Sequence, residues 1–158
     1  MPEFKWSPIN TFNAIIIVLL FVPDLIYGLK HKDEKVYYHN RILYICETIG
    51  QYASMFLMLF PIGVENFEFG FPDIPDMLVY LLLDIAMVIM FFILRIVTAK
   101  EKTMAGSILL AIVPIVIYLA SGLILSHWFL VIAAVFYAIG HIYMAYRNEV
   151  ERKRSEQQ

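Results

Sequence analysis

The sequence predicts an all-α integral membrane protein, a bundle of five transmembrane helices, and three observations predict it. The 158-residue chain is 61% hydrophobic and 16% charged, with a mean hydropathy of +0.71, whereas an ordinary soluble domain carries about a quarter charged residues. Five apolar segments, at about residues 9–28, 42–61, 77–98, 104–123 and 127–146, are each long enough at ~1.5 Å per residue to cross a ~30 Å hydrocarbon core. The basic residues gather at alternate connections. The spans leave no room for a separate soluble domain, so residues 1–158 read as a single transmembrane domain ending in a basic tail over 147–158.

The first span carries Asn10 and Asn13 toward its start and Pro23 and Asp24 toward its end. No basic segment precedes it and no small-residue cleavage site follows, so it is expected to remain in the mature protein. Span two places Glu47, Gly50, Gln51, Ser54 and Met58 at helical spacing on one face, with Ile45, Phe56, Leu57 and Leu59 elsewhere. The single cysteine, Cys46, lies in this span, which excludes an intramolecular disulfide and a cysteine-based metal site. The connection "GVENFEFGFPDIPD" has four acids and no basic residue. Its alternating Phe67, Phe69 and Phe71 predict a segment lying along the headgroup boundary, with Asp76 capping span three.

Span three aligns Tyr80, Asp84, Met87, Phe91 and Arg95. Span four aligns Ser107, Ala111, Pro114, Tyr118 and Ser121, and Pro114 removes a backbone donor in mid-span. Span five shows a stripe of Ala134, Ala138, His141 and Ala145, whose small side chains allow close helix approach. So little chain separates spans four and five that they must form an antiparallel hairpin. The tail "YRNEVERKRSEQQ" is expected to extend span five by one or two turns, with Glu149 and Lys153 spaced i, i+4.

Of the twelve Lys and Arg, only Lys5 falls outside the first connection, the third connection and the tail. By the positive-inside rule this predicts an N-terminus outside and a cytoplasmic C-terminus, with Trp6 and Trp128 at the outer interface and a basic girdle facing anionic lipid headgroups. The net charge of -2 gives no sign of nucleic-acid binding.

Ionisable groups inside a span are costly and face protein or water. Counted from the basic end, Asp24, Glu47 and His141 lie about 6, 9 and 8 Å deep, and so form one inner layer. Asn13 and Asp84 form an outer layer, with Gln51 and Ser54 between. Together with Tyr118, these residues are the candidates for ligand binding or proton handling. The central expectation is that Glu47 meets His141, with Asp24 beside them, because hydrocarbon disfavours the charged form of each and so eases proton exchange between them.

Sharper chemistries find no support. His127 and His141 lie about 21 Å apart on one helix, unsuited to a bis-imidazole haem. The chain has no phosphate loop, no zinc-protease or serine-hydrolase motif and no paired-aspartate motif. No cofactor or metal is implied, and enzyme activity has no motif behind it. The stretches "FVPDLIYGLK", "ETIGQYASMFLMLFPIG" and "AIGHIYMAYRNE" resemble small five-span integral membrane proteins of low-GC Gram-positive bacteria, a group without an assigned activity. That resemblance implies a bacterial plasma membrane and no catalytic residue. The leading functional expectation is a membrane protein that binds or transports a small amphiphilic, lipid or proton-coupled ligand at its polar site. The alternatives are an accessory, immunity or assembly protein acting on a membrane partner or as a homo-oligomer, and an intramembrane enzyme.

Overall fold

A computed structural model describes residues 11–30, 36–60, 74–101 and 103–157. It contains five helices: α1 (Thr11–Lys30), α2 (Arg41–Leu59), α3 (Ile74–Lys100), α4 (Met104–Ile124) and α5 (Trp128–Glu156). All five hold a stretch long and apolar enough to cross a membrane. Each coincides with a sequence-predicted span, although α5 runs on to Glu156, nearly three turns into the tail. The N-terminal residues 1–10, including Lys5, Trp6 and Asn10, lie outside the described residues, as does the acidic, phenylalanine-rich connection 61–73.

Local sequence explains the helix ends. The Asn40 side chain accepts hydrogen bonds from the amides of Ile42 (3.0 Å) and Leu43 (3.3 Å), capping α2. Thr103 accepts from the Gly106 amide at 3.1 Å and caps α4. Between α4 and α5, the amide of Ser126 donates to Leu123 and that of His127 to Gly122, at 3.1 and 2.7 Å. This is the paired bonding of a Schellman turn, and Ser126 takes the left-handed conformation it requires, with φ of 51°. The expected tight hairpin follows directly.

Helix α4 is the central element. Its buried residues, among them Val113, Ile115, Ile117 and Tyr118, form the core with Leu130, Ala134 and Tyr137 of α5, Tyr80, Val88 and Phe91 of α3, and Met58 of α2. α2 packs mainly on α5, and α1 touches α2 and α3 more lightly. Outward-facing Leu82, Ile85, Ile89 and Ile93 of α3 are exposed, the arrangement a lipid-facing surface requires.

Two glycines fasten α2 to α5. A Cβ at Gly50 would fall 2.7 Å from the Cα of Tyr137, and one at Gly140 would fall 2.7 Å from the Glu47 amide nitrogen and 2.8 Å from the Leu43 carbonyl. The helices therefore meet backbone to backbone on both sides of one contact plane, as small residues permit within a membrane.

Candidate functional site

The glycine contacts bring the ionisable groups of α2 and α5 together. His141 Nδ1 lies 2.6 Å from Glu47 Oε1, and both side chains are partly buried, 27% and 20% exposed. Tyr137, one turn earlier on α5, stacks on the imidazole with ring centroids 4.8 Å apart. Tyr118 of α4 meets Tyr137 edge-on at 6.0 Å. The expected contact between Glu47 and His141 is thus present, held by backbone contact and an aromatic wall.

Asp24 departs from expectation. It pairs with Arg95 at 2.9 Å, joining α1 to α3, and the Arg95 guanidinium also lies 4.2 Å above the Tyr27 ring. Arg95 sits five residues inside the end of α3, deep enough to meet a carboxylate near the close of α1. Asp24 remains within Coulombic range of His141, but a cation closer at hand takes its ion pair.

The second polar layer, toward the end opposite the basic one, also forms, with a different hub. Asn13 donates from Nδ2 to the Met58 carbonyl at 2.8 Å, and Tyr80 donates its hydroxyl to Asn13 Oδ1 at 2.6 Å. Ser121 Oγ lies 3.1 Å from the same hydroxyl. Four helices meet in this buried network. Asp84, placed in the same layer as Asn13, is fully buried one turn from Tyr80 on α3, with neither carboxylate oxygen in a hydrogen bond; Ser54 is buried with its hydroxyl also unbonded. Gln51 is partly buried on the α2 face between Glu47 and Ser54.

At the basic end, defined by Lys30, Arg41, Lys100 and Arg147, the segment before α2 is clasped to α5. Asn148 Oδ1 accepts from the amides of Tyr37 (2.8 Å) and Tyr38 (3.2 Å), and Arg147 lies over the Tyr38 ring. The tail pairing differs from expectation. Glu149 is buried and bonds Arg152 at 2.7 Å rather than Lys153, while Arg152 also reaches Glu156. The guanidinium of Arg152 bridges carboxylates on the turn before it and the turn after it.

One groove of about 370 Å³ among the described residues opens between α2 and α5, and it is apolar, lined by Ile49, Leu57, Phe129, Ile132 and Phe136 over a floor of Gly50. No polar side chain of the described residues lines it. Among the described residues no cluster of three metal-ligating side chains occurs.

Tyr80, Ser121 and Arg95 stand on the faces marked in the sequence, but their role as partners was hidden until the rotation of each helix was known. Tyr137 and Gly140 carried a weaker signal still, each lying within an apolar run. Fold and composition define a multi-pass helical membrane protein. No family model, curated protein or solved structure matches the chain.

Proposed function

We propose that this protein handles protons at an intramembrane site built on Glu47 and His141, and that a small amphiphilic or proton-coupled ligand is bound or moved with them. The observation that carries the reading is the 2.6 Å contact between His141 Nδ1 and Glu47 Oε1. An acid and an imidazole at that separation share one proton, and the tautomer of the ring follows the state of the carboxyl. Partial burial keeps the pair reachable, while Gly50 and Gly140 hold the two helices at fixed distance. The setting that suits this reading is a bacterial plasma membrane, with the N-terminus outside and the basic end against anionic cytoplasmic headgroups.

The apolar groove supports a second reading, in which the protein is a membrane accessory or assembly component that receives an acyl chain or a partner helix on α2 and α5. Proteoliposomes loaded with a pH-sensitive dye separate the two. Under an imposed pH gradient, wild-type protein is expected to dissipate the gradient faster than empty vesicles, and Glu47→Gln to lose that excess while remaining folded, because a carboxamide cannot ionise. Equal rates for the folded variant and wild type would reject proton handling at this pair and favour the accessory role.

A further inference from the structure

Asp84 raises a separate question, because hydrogen-bond direction around it is over-determined. The Met58 carbonyl can only accept, so the Asn13 amide must present its nitrogen there, at 2.8 Å. That orientation turns Asn13 Oδ1, which can only accept, toward Tyr80, and the Tyr80 hydroxyl spends its hydrogen on it at 2.6 Å. Asp84 adjoins Tyr80 on the next turn of α3. It therefore faces a hydroxyl whose hydrogen is committed to Asn13 and whose oxygen can accept. Both Asp84 oxygens are buried and unbonded, and the side chain has no exposed surface. Among the described residues an ionised carboxylate there would meet an acceptor and no cation; a carboxylic acid would find the acceptor it needs.

We propose that Asp84 is a proton-binding site within the bundle, its neutral carboxylic acid donating to the Tyr80 hydroxyl oxygen. The chain of donation then runs from Asp84 to Tyr80 to Asn13, with Asn13 continuing to Met58 and Ser121 flanking Tyr80 from α4. Among the described residues, Tyr80 is the titratable group beside the carboxyl. Asn13 of α1, Ser54 and Met58 of α2, and Ser121 of α4 bring no charge. Arg95, paired with Asp24, is eleven residues away along α3, about 16 Å. Proton loss from Asp84 would force Tyr80 to turn its hydrogen back to the carboxylate and release Asn13, so the occupancy of Asp84 sets the link between α1 and α3. The site involves a different carboxyl from Glu47 and does not depend on the function proposed for the Glu47–His141 pair.

Infrared spectroscopy of the purified full chain in lipid at neutral pH tests it. Wild type and Glu47→Gln are both expected to show the carbonyl band of a protonated carboxylic acid that disappears in Asp84→Asn and moves in Asp84→Glu. Carbon-13 aspartate incorporated into the unaltered chain should shift the same band, so the test does not depend on any variant folding. Absence of the band in wild type, its survival in folded Asp84→Asn, or no isotope shift would overturn the proposal. Loss of the wild-type band on adding sodium would assign a metal cation in place of the proton and overturn it equally.

Discussion

At the basic end of the bundle, Glu47 faces His141 and Asp24 faces Arg95, and all four side chains keep some exposure. About 16 Å along α1 from Asp24, Asn13, Tyr80 and Ser121 form a buried network, and beside it Asp84 has no exposure and, among the described residues, no charge partner. The two regions use similar residue types under different constraints. Near the interface, charge is tolerated because a partner and some access are both available. In the deeper region, neutral hydrogen bonds from four helices replace charge, and direction of donation matters more than Coulombic attraction. The first arrangement suits proton exchange with a ligand or solvent, and the second suits retention.

Substitutions can break this contrast, beginning with the contacts that create the inner pair. Gly140→Ala would drive a Cβ against the Glu47 amide and the Leu43 carbonyl, backbone atoms that cannot step aside. A loss of about 1–3 kcal/mol in unfolding free energy is expected, together with loss of the pair, measured by denaturation in detergent. Glu47→Leu leaves His141 Nδ1 without its hydrogen-bond partner and should cost about 1–3 kcal/mol, whereas Glu47→Gln, which offers both a donor and an acceptor, should cost clearly less. Equal costs would indicate that the carboxyl serves only to fill space.

In the deeper network, Tyr80→Phe removes the donor to Asn13 while preserving the ring. A cost of about 1 kcal/mol is expected, typical of hydrogen bonds between helices in a membrane. An effect as large as that of Gly140→Ala would place the structural weight in the network rather than in the α2–α5 contact. Asp24→Asn should have the smallest effect, about 0–1 kcal/mol, because the carboxamide still offers Arg95 an acceptor where the carboxylate stood.

The difference between the regions also explains what the sequence revealed. The five spans were legible because apolar length is local, and Glu47 could be matched to His141 because helical rise converts residue counts into depth. Depth alone placed Asp24 in the same layer, yet it could not choose between His141 and Arg95. Arg95 resembled part of the basic girdle, although its long side chain starts five residues inside α3 and reaches Asp24. Tyr80 offered no motif at all; its role depends on which face of α3 meets α1 and α4. Gly140 was hidden by its apolar neighbours, since a missing side chain acquires meaning only when another backbone fills the space.

Solid-state nuclear magnetic resonance of the full chain in lipid bilayers, with carbon-13 in the Glu47 carboxyl and nitrogen-15 in the His141 imidazole, tests the contact of this pair most directly. Direct dipolar coupling between the two labels is expected, because the two side chains meet at 2.6 Å, and the coupling should vanish in Glu47→Leu. Two signals that show no coupling in the unaltered chain would contradict the account.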